Sequence, residues 1–354
     1  MESFIIDVFK ELGVSEEDAK ICADVLIVAD KRGINSHGIA RLKTMYFDRI
    51  KSGLLSPKTN VEIVRESSTT AVIDGHNGMG HVIAKKSMAL AIKKASEYGL
   101  GMVVVRNSAH YGIAGYYSLM AVEANMIGIT GTNTRPSVAP TFGVEAMLGT
   151  NPLTFGIPSG EEFPFLLDCS TSVTSNGKIE IYNSLGKDLP ESWVINNKGE
   201  SILNANQAIK NIHFPGGGEA AILPLGGPGE ENAGYKGYGY ATVVEILSTA
   251  LQGGQFLKTS TEEKDRNIGH FFIAINISTF IDIELFKKIT GNILRSIRAS
   301  KKVPGQNKIY TAGEKEYFIW LERKDKGVPL NEILQKQIIT IRDELGLKNY
   351  NFLF

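Results

Sequence analysis

The stretch RGINSHGIARL, residues 32 to 42, sets Ser36, His37 and Arg41 within six positions. An imidazole with a pKa of about 6.5 takes or gives a proton near neutral pH, and a guanidinium holds a carboxylate through two parallel hydrogen bonds. The pair suits a small substrate that carries a carboxylate beside a group that gains or loses a proton. Arg41, four residues after His37, shares its face if the segment is helical. The plainer reading is a helix start capped by Ser36, with His37 and Arg41 in solvent. Spacing alone does not separate the two.

His110, in RNSAHYG, follows the apolar run Met102–Val105 and precedes a helix-like segment. Strand ends that pass into loops display catalytic groups, because the sheet fixes the backbone while the side chain faces a crevice; a hydrogen-bonded loop histidine is the competing reading. His76 and His81 are five apart, where zinc on a helix needs four, and no His-Glu-x-x-His string occurs, so no metal is expected. His213 and His270 lack polar neighbours in sequence and are expected at surface or edge positions. GTNPLTFGIP (149–158) and LLDCSTS (166–172) each end a strand-like run with small hydroxyl and amide residues, which expose backbone N–H groups to an anion. Asp168 there orients a sugar hydroxyl or a histidine, or else caps the helix containing Lys178–Ile181. Six glycines surround Lys236 in PLGGPGEENAGYKGYGYATVVEIL and admit phosphate to backbone and ammonium, although a flexible loop explains them equally.

The elements that must carry these groups are legible in outline. Phe4, Ile5, Val8, Phe9 and Leu12 repeat at helical spacing up to Gly13; Ser15-Glu16-Glu17-Asp18 opens a second helix, striped by Ala19, Cys22, Ala23, Leu26 and Ala29, that stops near Gly33. From Thr70, β-rich runs at Ala71–Ile73, Met102–Val105 and Ile127–Ile129 alternate with helical stretches over 82–98 and 114–124, which reads as a sheet layered with helices. Glycine-rich turns crowd 216 to 239; a helix from Tyr240 to Leu251, a strand at Phe271–Ile277, a helix near 283–299 and amphipathic helix in the last forty residues follow. The expected division is a helical domain from both chain ends (1–62 with 310–354), a central sheet domain (63–245) and a small α/β region (246–309).

Composition sets the outer limits. The 354 residues carry 38 basic and 38 acidic side chains, so no overall field favours nucleic acid or an anionic membrane. Cys22 and Cys169 are far apart and without metal-ligand spacing, which points to a reducing compartment and no disulfide framework. The first residues lack a cleavable apolar core behind basic residues and no apolar run is long enough to span a bilayer, so a cytoplasmic protein is expected. The dinucleotide fingerprint Gly-x-Gly-x-x-Gly is absent: Gly99-Leu100-Gly101 breaks at the third glycine and precedes a strand. There is no Gly-x-x-x-x-Gly-Lys-Ser/Thr loop either.

The strings DKRGINSHGIARL, AVIDGHNGMGH, RNSAHYGIAGYY, GTNPLTFGIP, LDCSTS, LPESWVINNKG, PLGG with GYKGYGYATVVEIL, HFFIAINISTF and AGEKE stand in one order along the chain. In that order and spacing the sequence resembles the malate/L-lactate dehydrogenase superfamily of the non-Rossmann type, nearly end to end. The resemblance implies an α/β (α+β) fold whose nucleotide-binding domain has a largely antiparallel sheet, and a homodimer with its active site near the interface. It implies reversible, NAD- or NADP-dependent reduction of a 2-oxo acid to a 2-hydroxy acid, malate or a close analogue foremost. A cyclic 2-imino acid reductase of the same fold and a non-catalytic nucleotide-binding homologue are the alternatives. By resemblance the substrate site comprises Ser36, His37, Arg41 and His110, with His110 as acid/base and Arg41 on the carboxylate. Cofactor contacts fall on Thr134, Asp168, Cys169, Ser170, Lys236, Gly237, Gly313, Glu314 and Lys315. Three positions depart from the family pattern: Ala312 stands for a usual proline, Asn176 for a frequent arginine, and Met45 for a usual tyrosine, with Tyr46 one step on.

Overall fold

A computed structural model describes residues 1–212, 218–259 and 267–354. The first two apolar stripes become α1 (Glu2–Glu11), which buries Phe4, Ile5, Val8 and Phe9, and α2 (Glu16–Lys31), whose N-cap Ser15 accepts the Asp18 N–H at 3.2 Å. Beyond Gly33, at φ +80°, the chain does not resume an α-helix. It makes two 3-10 turns, Asn35–His37 and Ile39–Arg41, then a π-helical turn over Leu42–Phe47 that runs into the short α3 (Asp48–Lys51). His37 and Arg41 therefore belong to separate turns joined by Gly38, not to one helix face.

The remaining elements are β1 (Glu62–Glu66), β2 (Thr70–Asp74), α4 (Gly80–Tyr98), β3 (Leu100–Ser108), α5 (Ala114–Glu123), β4 (Met126–Thr132), β5 (Leu153–Ile157) and β6 (Phe165–Cys169). They are followed by α6 (Asn176–Ser184), β7 (Val194–Asn196), α7 (Ala205–Ile212), β8 (Ala220–Ile222), α8 (Gly234–Thr249), β9 (Ile268–Asn276), α9 (Ile283–Ala299), α10 (Glu314–Lys326) and α11 (Glu332–Glu344). Among the described residues seven strands form one sheet in the order β1-β2-β3-β9-β4-β5-β6, and of these only β2 and β3, joined through α4, run parallel. The sheet is thus largely antiparallel. Alternation along β3 sends Val103 and Val105 to one face, against Ala84, Met88 and Ala91 of α4 and Tyr117 of α5; Val104 points to the other, against Val244 of α8. Helices on both faces bury the sheet. β7 and β8 form a separate small sheet.

Residues 246–309, read from the sequence as a region of their own, supply β9 to the centre of the main sheet. α8 begins at Gly234, six residues before the expected Tyr240, because its first turn packs against the Leu225 backbone where Gly237 has no room for a side chain. The expectation for His270 is corrected. It sits on β9, fully buried, with Nδ1 2.7 Å from Thr132 Oγ1, Nε2 2.8 Å from Ser108 Oγ, and its ring stacked on Tyr111. A central strand gains partners from both flanks, and those partners are remote in sequence. His213 lies outside the described residues. Phe4 packs edge-on against Tyr350 and Phe352, and Ile338 and Ile341 of α11 join the cluster of α1 and α2, so both chain ends build one helical core. No helix among the described residues is long and apolar enough to cross a membrane.

Candidate active site

Two sequence-distant segments meet over the C-terminal end of β3. The loop after β3 carries His110, and the two turns after α2 bring His37 beside it, the rings 5.7 Å apart and 20° from parallel. Ser36 Oγ lies 2.9 Å from His37 Nδ1, fixing that ring from behind. Arg41 donates from Nε to the Ser36 carbonyl at 2.5 Å, which turns the guanidinium toward the same space. Gly38 permits the tight bend: a side chain there would collide with Asp30, whose carboxylate accepts the Ile39 N–H at 2.7 Å.

The π-helical turn completes the site. A π-turn holds one residue more than an α-turn, and Tyr46, one place beyond the expected tyrosine, brings its hydroxyl 2.6 Å from His110 Nδ1 and 2.9 Å from His81 Nε2. Tyr46 and His81 are fully buried. From the sequence alone His81 reads only as a metal candidate and Tyr46 only as a departure from the family pattern. The shifted tyrosine was the signal that the local backbone carries an extra residue. Among the described residues no group of three or more His, Cys, Asp and Glu side chains is placed to hold a metal ion.

His37, Arg41, Met45, His110, Thr134, Arg135, Thr150, Ser175, Asn176, Gly177, Glu180 and Ile268 surround a cavity of about 190 Å³. Arg41 Nη2 is already paired there with Glu180 Oε2 of α6 at 2.7 Å, a carboxylate that spacing could not reveal. α6 reaches this close because Gly177 faces Ser36 and Arg41; an added Cβ would lie 2.7 Å from Ser36 Cβ. Burial and the Arg41 guanidinium push the His37 imidazole down to about 4. Burial holds His110 well below the usual histidine range too, reinforced by His37, His81, Arg41 and Arg49. Both rings are neutral at pH 7.

A second cavity, about 640 Å³, is lined by Asp168, Cys169, Ser170, the backbone around Gly112–Gly115, and Tyr310–Gly313 with Lys315. Leu166 of β6 donates to the Ala312 carbonyl at 3.1 Å, which draws the residues before α10 to this edge of the sheet. Asp168 accepts the Gly115 N–H at 2.7 Å and the Thr154 hydroxyl at 2.9 Å. It therefore serves the start of α5; the expected cap of α6 is instead Ser175. Burial raises the Asp168 pKa, and those two hydrogen bonds oppose the rise.

Of the residues expected to touch a cofactor, Thr134 borders the smaller cavity, and Asp168, Cys169, Ser170, Gly313 and Lys315 border the larger. Lys236 and Gly237, on the first turn of α8, border neither, and Lys236 is exposed over the Tyr235 ring. Glu314 is buried and turned away, paired with Lys308 at 2.7 Å and accepting the Thr311 N–H. The two cavities adjoin at His37, Thr150 and Ser175.

A family model described as malate/L-lactate dehydrogenase matches residues 1–339. The chain is 46% identical over 348 residues to a malate dehydrogenase of Pyrococcus horikoshii, spanning 98% of this chain and 94% of that one. It is 41% identical over 351 residues to an L-sulfolactate dehydrogenase of Methanocaldococcus jannaschii, spanning 98% and 96%. The fold superposes on the crystal structure of malate dehydrogenase from Entamoeba histolytica with a TM-score of 0.96, at 44% identity and over 100% and 97% of the two chains.

Proposed function

The chain belongs to the malate/L-lactate dehydrogenase family and is a 2-hydroxy acid dehydrogenase; within that class we propose oxaloacetate and malate, or a close analogue, as the substrate pair and NAD or NADP as the cofactor. The observation that carries this reading is the adjacency of the cavities: a long cleft meets a small cationic pocket at His37, Thr150 and Ser175. The larger cavity lies within the range of small-molecule and cofactor sites. Its walls fit a dinucleotide: the N-terminal ends of α5 and α10 border it, Lys178, Lys315 and Arg32 offer positive charge, and an added Cβ at Gly115 or Gly313 would strike Asp168 or Leu166. When bound, the nicotinamide supplies or removes the hydride at the substrate carbon.

The chain's own residues do the rest. Arg41 holds the substrate carboxylate once Glu180 yields its place, and His110 gives a proton to the carbonyl oxygen during reduction and takes it back during oxidation. Burial is the chief cause that keeps both imidazoles neutral, with the Arg41 guanidinium adding to it, and the substrate carboxylate takes over from Glu180 the screening of that guanidinium. His37, held by Ser36, forms the wall between cleft and pocket. The homodimer belongs to the same proposal: α9 exposes Leu285, Ile289, Ile293 and Ile297 along one stripe, and α8 exposes Tyr240, Val243 and Ile246.

The test is a panel of 2-oxo acids offered with NADH and with NADPH, followed at 340 nm in absorbance. Oxidation of either cofactor with oxaloacetate or a near analogue is expected. Turnover of a cyclic 2-imino acid alone would move the assignment within the fold, and cofactor binding without turnover of any substrate would refute it.

A further inference from the structure

The Tyr46 hydroxyl contacts two imidazole nitrogens and has one proton. It lies 2.6 Å from His110 Nδ1 and 2.9 Å from His81 Nε2, and it can donate to only one of them. The His110 carbonyl, 3.5 Å away, is a third and longer acceptor; with the Tyr46 proton on one ring, the other ring donates an N–H to the phenol oxygen and the two histidines have opposite tautomers. In one arrangement His81 Nε2–H donates to Tyr46, Tyr46 donates to His110 Nδ1, and His110 carries its proton on Nε2. In the other, His110 Nδ1–H donates to Tyr46, Tyr46 donates to His81 Nε2, and His110 Nε2 has a free lone pair. Only Nε2 remains for a ligand in the cavity, because Nδ1 is engaged.

We propose that His81 is a positioning residue which, by accepting the Tyr46 proton, holds His110 in the Nδ1–H form that catalysis requires. This rests on the reading of His110 as the acid/base. In oxidation the substrate O–H bond breaks and a bond from that proton to His110 Nε2 forms, giving an imidazolium whose Nδ1–H stays on Tyr46. In reduction the same Nε2–H bond breaks and the proton passes to the substrate oxygen. Tyr46 and His81 keep their protons throughout. Were His81 the donor instead, His110 Nε2 would already be protonated and could not act as a base. The required arrangement has two visible costs: His81 Nδ1 is buried with no hydrogen-bond partner and here bears the proton, and the Gly112 N–H, 3.4 Å from His110 Nδ1, gives up its acceptor there. Burial pushes His81 down to about 3, which keeps it neutral and able to accept. The charged and titratable groups around this chain are His37, Arg41 and Arg49, which act on His110, with Cys22, Arg41 and Arg49 acting on Tyr46 and Tyr46 acting in turn on Tyr117.

The experiment compares wild type, His81→Gln and His81→Leu. Glutamine offers a carbonyl oxygen to Tyr46; leucine offers nothing, so Tyr46 turns its proton to His110 Nδ1. In H81L, kcat for oxidation is expected to fall by about 10-fold to 100-fold, within the range of general acid–base effects, with KM and cofactor affinity nearly unchanged. The acid limb of its kcat/KM profile moves to lower pH, because the imidazolium has lost its support. H81Q restores both to within a few-fold. Nitrogen-15 NMR of the histidine rings in the cofactor-free protein reads the tautomers without turnover: His110 shifts from Nδ1–H toward Nε2–H in H81L and not in H81Q. Tyr46→Phe, which removes the link, gives the same pH shift should H81L fold poorly. An unmoved tautomer and pH limb in H81L, in a protein that still turns over a 2-oxo acid, overturn the role of His81. A wild type inactive on every 2-oxo acid overturns the parent reading instead.

Discussion

Glu180 pairs with Arg41, the guanidinium proposed to hold the substrate carboxylate, and replacing it with glutamine should strengthen substrate binding. Arg41 is mostly shielded, with 17% of its side chain exposed, whereas Glu180 is 42% exposed, so the pair is only half withdrawn from water. Exposed or partly exposed ion pairs contribute about 0.2 to 1 kcal/mol. Releasing Arg41 from that competition should lower KM for the carboxylate substrate by at most about fivefold, since about 1.4 kcal/mol is tenfold. The carboxylate is held alike in ground and transition states, so kcat should not change. Steady-state kinetics at low ionic strength measures this, and the difference between wild type and Glu180→Gln should shrink in about 1 M salt, where the screening length falls to about 3 Å. A KM that stays constant or rises would refute the reasoning and show that Glu180 orders the pocket for the substrate.

His110→Ala should lower kcat by about 100-fold to 10,000-fold while cofactor binding stays measurable, and His37→Ala should cost less; equal losses would move the acid/base role to His37. Gly177→Ala puts a methyl 2.7 Å from Ser36 Cβ and 2.9 Å from Arg41 Nη2, so KM should rise about tenfold or more through displacement of Arg41, with only a small change in melting temperature. Stability should fall with acid. His81 and His270 are fully buried with pKa values near 3, below the ordinary value of about 6.5, so the unfolded chain binds their protons first. Their contribution is complete above about pH 6.5 and is lost as pH falls toward 3. At pH 5.5 the loss is about 1.4 kcal/mol each, roughly 3 kcal/mol together. Denaturant midpoints at pH 7.5 and 5.5 check this, and His270→Gln should remove about a quarter of the histidine-linked pH dependence, since His37 and His110 are held low as well.

Periodicity located elements well where one face was apolar. The stripes of α1 and α2 and the runs in β2, β3 and β4 stand where the sequence placed them, because burial on one face dictates spacing locally. What was not legible depends on partners far along the chain. His270 finds Ser108 and Thr132 only because β9 lies between β3 and β4. Glu180 meets Arg41 across 139 positions. Asp168 serves α5, which precedes it, rather than α6, which follows. Ser36, His37, Arg41 and His110 were legible as a set, yet their linkage through Tyr46 was hidden by one extra residue in a π-turn. Lys236 and Glu314 had suggestive types and neighbours, but side-chain direction is a property of the packed helix.

The place of β9 has a bearing on how the molecule is made. β3 and β4 are synthesised well before the strand that separates them, so until residue 276 leaves the ribosome each presents an unpaired edge in the middle of the future sheet. Such edges recruit strands from other chains, and a strand that arrives late must close a long loop before its contacts repay the ordering. Nascent or partly unfolded copies should aggregate through β3 and β4, and a segment with the sequence of β9 should suppress that aggregation by filling the gap. The cavity beside His37 and His110, with Ile268 of β9 in its wall, closes only when this insertion is done.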